Sequence, residues 1–245
     1  MGNLPDAPLP NRGATRWDRF LYWAGRFQES PKFDDIELDY KLVVTARLVE
    51  ARDAMLAGDP GWVEKLTYAV TAKPNNLSNW HATQPFLAWC QGDPETAGLA
   101  FRLLWNESVS DVATRMDQFA EVTSRSGKKL HIAETAFFHM AMGVEAYPMF
   151  RATPFERATQ FTGYPSMKEA GIKQADLGRR YKYFIQFLDN LMKRAAANGI
   201  AFRDRLDAQS AMWVVTEWQP LNDWSDDERQ AFRAYQQTNL RPGKS

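Results

Sequence analysis

The sequence contains a single cysteine, Cys90, so no intramolecular disulfide can form and the fold must rest on packing. Cys90 lies in the apolar run Phe86-Leu87-Ala88-Trp89-Cys90, where a buried, inert thiol is expected. One thiol and no signal-peptide core point to a reducing cytoplasm. Excess charge of either sign is also missing. Thirty basic and thirty acidic residues cancel, which excludes a global field that would draw the chain to nucleic acid or to an anionic membrane. Any such binding must be local. No apolar run approaches the roughly 18–20 residues that span a bilayer, so no membrane partner is expected.

Catalytic vocabulary is scarce. There is no Gly-x-Ser-x-Gly elbow and no Gly-rich phosphate loop ending in Lys-Ser or Lys-Thr. The three histidines are His81, His131 and His139. His131 and Glu134 stand one helical turn apart, but His139 lies about 140° round the helix from Glu134, so the three do not converge as metal ligands do. The acidic cluster Asp34, Asp35, Glu37 and Asp39 lacks the glycine of a calcium loop and reads as a solvated helix start. The expectation is therefore a chain that is not an enzyme and holds neither metal nor cofactor.

What the chain has is apolar and aromatic side chains. With 44% hydrophobic residues, nine Trp and fifteen Phe, it can bury a large core and still leave aromatics for a binding face. Apolar residues recur at spacings of three and four. The clearest set is Tyr181, Phe184, Ile185, Leu188, Leu191, Met192 and Ala195. Others are Ala97, Ala100, Phe101, Leu104 and Trp105, then Val112, Met116 and Phe119, and Leu42, Val43, Ala46 and Val49. No comparable period-2 run exists, so the fold class is all-α, a multi-helix globular domain of about ten helices. Their expected spans are 17–28, 37–57, 61–72, 84–91, 94–106, 111–123, 129–142, 154–162, 176–198, 204–218 and 225–238.

Punctuation supports this map. Asp59-Pro60 and Asp93-Pro94 each place a good cap before a proline at the first helical position. Thr153-Pro154-Phe155-Glu156 and Ser225-Asp226-Asp227-Glu228 read as capping boxes. The two Gly-Asp-Pro triplets at Gly58 and Gly92 lie 34 residues apart, a helical-repeat period, although the segments around them do not match. The expected organisation is a flexible tail over 1–16, an N-terminal helical group over 17–146, a C-terminal group over 147–240 packed on it, and a flexible tail over 241–245.

Two segments stand out as candidate binding surfaces. Lys173, Arg179, Arg180, Lys182, Lys193 and Arg194 outnumber Asp176 and Asp189, and they interleave with Tyr181 and Tyr183. Such a mixture can hold phosphates with charge and stack bases on rings, or it can be the solvated face of an amphipathic helix. In the second segment Arg151 and Arg157 stand among Tyr147, Phe150, Phe155 and Tyr164, suited either to a planar ligand or to bracing a turn. Trp80-His81 with Trp89 forms a further aromatic site, or simply core.

The order of motifs carries a resemblance. Trp62-Val63-Glu64-Lys65-Leu66, Lys73-Pro74-Asn75-Asn76-Leu77, Phe86-Leu87-Ala88-Trp89, the stretch from Tyr147-Pro148 to Gly163-Tyr164-Pro165, and Arg203-Asp204-Arg205-Leu206-Asp207-Ala208-Gln209-Ser210 follow one another across most of residues 50–235. This order resembles the helical region upstream of the ATPase module in AAA-family proteins related to McrB-type, modification-dependent restriction GTPases. The resemblance implies a non-catalytic DNA-recognition module of an anti-phage defence system, partnered by an AAA-family NTPase and a nuclease, with modified cytosine a candidate target. Phosphates would then meet Arg179, Arg180, Lys182, Lys128 and Lys129, while Arg151, Arg157, Tyr147, Phe155 and Tyr164 would form the more specific surface. The helical pattern departs from the β-rich base readers of that family. The alternative is a helical protein-interaction module that docks an effector or organises an ATPase assembly, for which neutral charge and surplus aromatics are natural.

Overall fold

A computed structural model describes residues 13–78 and 80–240, without the side chains of Trp80 and Leu240. Most of the expected tails, residues 1–12 and 241–245, lie outside that range. Among the described residues there are twelve α-helices and no strand: α1 Arg16–Gln28, α2 Phe33–Glu37, α3 Asp39–Leu56, α4 Trp62–Thr71, α5 Trp80–Gly92, α6 Pro94–Leu104, α7 Val112–Arg125, α8 Ile132–His139, α9 Ala152–Thr162, α10 Leu177–Ala197, α11 Arg205–Glu217 and α12 Asp226–Leu240. A 3-10 turn, Met140–Met142, extends α8.

Caps explain many of the boundaries. Thr15, placed in the tail by sequence, opens α1 through a reciprocal box with Asp18, at 3.1 and 2.9 Å. Asp93 accepts from the Thr96 N–H at 3.1 Å, with Pro94 first in α6. Ser225 and Glu228 form the expected box. Two other signals resolve differently. Asp59 accepts from the Gly61 N–H at 2.8 Å and shapes the α3–α4 turn, so α4 starts only at Trp62. The two Gly-Asp-Pro triplets thus adopt unlike geometries and do not mark a repeat. Thr153 and Glu156 fall inside α9, which begins at Ala152 with Arg151 in the capping place, and they form no box. The helix expected over 37–57 is broken at Leu38, and α5 runs through Pro85, the residue beside which a later start was expected.

Neighbouring helices pack in sequence from α3 through α7, and α7 then packs on α10. The closest approach on that seam is at Gly178, where an added Cβ would stand 2.2 Å from the Ala113 carbonyl oxygen. Only glycine fits there. Helix α11 packs on α1, α9 and α10, so the first helix of the chain is a spatial neighbour of the C-terminal group. One hydrophobic core runs through all of these elements.

Many aromatics belong to that core, and three nests of them tie helices together. Trp23, Phe27, Trp224 and Phe232 gather α1 to α12. Phe86, Phe101, Phe119 and Phe138 join α5 to α8. Phe150, Phe155, Phe184 and Phe187 fix the 147–162 stretch against α10.

Helix α3 departs from expectation. Its inward face is Val44, Leu48, Ala51 and Met55, while the stripe expected to be core, Leu42, Val43, Ala46 and Val49, turns outward. Leu42 and Val43 are each 42% exposed. Both faces of this helix are apolar, so periodicity could not choose between them. Packing against α4 and the Met140–Met142 turn decides the choice.

Candidate ligand cleft at Lys41 and Arg151

Lys41 lies in the first turn of α3, and its side chain is only 2% exposed. Its ammonium donates to Glu37 Oε2 at 3.0 Å, Gln209 Oε1 at 2.9 Å and Ser210 Oγ at 2.8 Å. These acceptors use all three ammonium hydrogens, which is what allows a charge to remain in so dry a place. Burial lowers the Lys41 pKa, and Glu37 opposes that shift. Burial raises the Glu37 pKa, with Lys41 and Trp218 acting against it. The saturated ammonium ties α3 to α2 and α11 and is not presented as a free nucleophile.

Above this bolt opens a cleft of about 300 Å³, walled by Tyr40, Trp213, Trp218, Met149 and Arg151. The volume is at the lower end of small-ligand sites. Arg151 is fixed by one end only: Nη2 donates to the carbonyls of Asn76 at 3.2 Å and Leu77 at 2.6 Å. Its Nε and Nη1 make no hydrogen bond among the described residues, and it forms no ion pair there. Tyr40 and Glu134 are the groups that favour its charge, while burial lowers its pKa. The Tyr40 hydroxyl and the Gln209 amide nitrogen also lack a hydrogen bond among the described residues, and both residues line the cleft. Burial raises the Tyr40 pKa, Glu37 adding to the effect, so the phenol stays protonated and able to donate. The recess therefore combines aromatic walls, uncommitted donors and a cation without a bonded counter-charge. That set suits a planar group bearing negative charge.

Of the nucleic-acid-binding and stacking residues expected from sequence, Arg151 alone lines this cleft, and Glu37, expected at a solvated helix start, is buried beside it. Phe155 is 1% exposed and belongs to the core, so it offers no stacking surface. Arg180 is also turned inward, 8% exposed, with its guanidinium 5.9 Å from the Phe150 ring, because α10 presents that side to the core. It cannot serve as a surface phosphate contact. Arg157 pairs with Glu217 at 2.7 Å. Half-buried Tyr147 packs edge-on to His139 at 4.6 Å and beneath the Arg115 guanidinium at 5.0 Å. Tyr164 packs on Trp17, Tyr183 and Phe187. His81 is exposed on α5, and the Trp80 side chain lies outside the described residues. Lys128 and Lys129 sit in the α7–α8 connection, with Lys129 exposed.

Arg179 and Lys182 remain on the outside. With Tyr183 and Gln186 they line a shallow depression of about 430 Å³ at the start of α10. Lys182 is held by Asp111 at 2.9 Å. Arg194 lies over Trp17 at 4.7 Å.

Two further polar centres are internal. His139 is fully buried, neither ring nitrogen has a hydrogen-bond partner among the described residues, and burial beside Arg115 pushes its pKa down to about 3. His131 opens α8 and is exposed, so the two histidines do not meet. Cys90 is buried as expected, its thiol pushed up to about 12 and hence unreactive.

Fold and cleft together define an all-α domain with a small aromatic recess that carries an arginine without an ion pair among the described residues. No family model, curated protein or solved structure matches the chain, so the McrB-type resemblance stands on the sequence motifs alone. No helix among the described residues is long and apolar enough to cross a membrane.

Proposed function

We propose that the chain is a non-catalytic recognition module, working in the cytoplasm, that captures an unstacked nucleotide of DNA in the Lys41–Arg151 cleft. The observation carrying this reading is the half-tethered Arg151 guanidinium, free at Nε and Nη1 beside Tyr40, Trp213 and Trp218. A phosphate would take the two free donors, a base would stack on the indoles, and Gln209 with Tyr40 would contact its polar edge. A base stacked inside a duplex cannot reach such a recess, so single-stranded DNA is the better ligand. Arg179 and Lys182 would add salt-sensitive contacts to the backbone. The motif resemblance is what points to DNA, with hydrolysis and cleavage assigned to an AAA-family NTPase and a nuclease.

The test is fluorescence anisotropy of labelled single-stranded and duplex DNA with plain, methylated and hydroxymethylated cytosine, at two salt concentrations. Single-stranded probes are expected to bind more tightly, and binding is expected to weaken with salt. Absence of binding at tens of micromolar protein would remove the DNA reading.

A further inference from the structure

We propose that the outer face of α3, with the acidic groove beside it, docks a basic amphipathic helix of a partner protein. The face is apolar where a solvent-facing helix should be polar. Leu42 and Val43 are 42% exposed, Ala46 is exposed and Val49 half-buried, one continuous stripe at helical spacing. Isolated exposed apolar residues need no explanation, but a stripe of this kind on one helix does.

Charge names the occupant. Leu42 also lines a groove of about 170 Å³ together with Asp34, Asp39, Glu145 and Asp204, and with Asp207, which is buried. Among the described residues Arg203 is the one cation lining the groove, bonding Asp34 at 2.9 Å and Asp207 at 2.8 Å, which leaves Asp39, Glu145 and Asp204 without an ion pair there. Glu50 and Asp53 add acid along the outer side of α3, where Arg52 pairs with Asp53. Arg47 is turned away, bonded to the Ala72 carbonyl and lying over Tyr68. A second copy of the chain would set like charges against one another, whereas a helix with leucines on one side and lysines at its edges matches both ridge and groove. This surface is separate from the nucleotide cleft, so the proposal does not depend on the DNA reading.

The test uses the full chain and a labelled helical peptide of about 18 residues, leucine on one face and lysine on the other, with a glutamate-faced peptide as control. The lysine peptide is expected to bind and the glutamate peptide not to. Leu42→Ser/Val43→Ser should weaken lysine-peptide binding about tenfold or more while leaving the melting temperature and DNA binding unchanged. Asp39→Asn should weaken it less and reduce its salt dependence. Equal binding of both peptides, binding of neither, or indifference to the double substitution overturns the proposal. A concentration-dependent dimer that the double substitution abolishes also overturns it, by giving the face to a second copy.

Discussion

Acidification should destabilise this protein through His139 in a way that one substitution removes. The imidazole is fully buried, lacks a hydrogen-bond partner for either nitrogen among the described residues, and lies near the Arg115 guanidinium, with Tyr147 and Tyr181 as aromatic neighbours. Folding lowers its pKa from 6.5 to about 3. Between these values the unfolded chain binds a proton that the folded chain refuses, so stability is complete above the unfolded value and is lost as pH falls. At pH 5 the loss from this group is about 2 kcal/mol relative to neutral pH, from linkage at 1.4 kcal/mol per pH unit. Other groups titrate in the same range, so the diagnostic quantity is a difference. His139→Gln cannot take up the proton and forfeits no hydrogen bond, and its packing cost is the same at both pH values. Urea unfolding of both proteins at neutral pH and at pH 5 should show the wild type losing about 2 kcal/mol more than the variant. Equal losses would refute the assignment of a buried neutral imidazole.

Gly178→Ala places a methyl group 2.2 Å from the Ala113 carbonyl oxygen, and the α7–α10 seam must open to admit it. Thermal unfolding should report about 1–3 kcal/mol of lost stability or more. Lys41→Met removes the cation bonded to the buried Glu37 and should cost about 3–5 kcal/mol, part of which returns when Glu37→Gln is added. No recovery in the double variant would mean that the pair is not coupled. Asp93→Ala removes the cap from Thr96 N–H and should cost about 1 kcal/mol, read as a drop in melting temperature.

Helices were legible from sequence because each has a periodic apolar face and many have local stop and start signals. The face Tyr181, Phe184, Leu188, Leu191 and Ala195 is buried as expected. Orientation failed where a helix is apolar on both sides, as in α3, since only tertiary packing selects one. Side-chain fate was legible still less. Arg180 and Arg179 are adjacent in a cationic run, yet one is buried and the other exposed by their 100° separation on α10. Arg151 has aromatic neighbours in sequence, but the rings that line its cleft are those of Tyr40, Trp213 and Trp218. Lys41 escaped notice altogether. Its i,i+4 spacing to Glu37 is a signal, but the partners that make it a centre, Gln209 and Ser210, lie 168 and 169 residues away.

Where DNA is held is decided by the affinity of single-stranded probes that differ in one base for four proteins: wild type, Arg151→Gln, Trp213→Ala, and Arg179→Glu/Lys182→Glu. If the cleft is the site, Arg151→Gln and Trp213→Ala each weaken binding about tenfold or more while salt dependence persists. The α10 double reversal should lower affinity and flatten the salt slope without abolishing discrimination among bases. Unchanged affinity in both cleft variants, with all loss confined to the α10 reversal, would contradict the cleft as the recognition site.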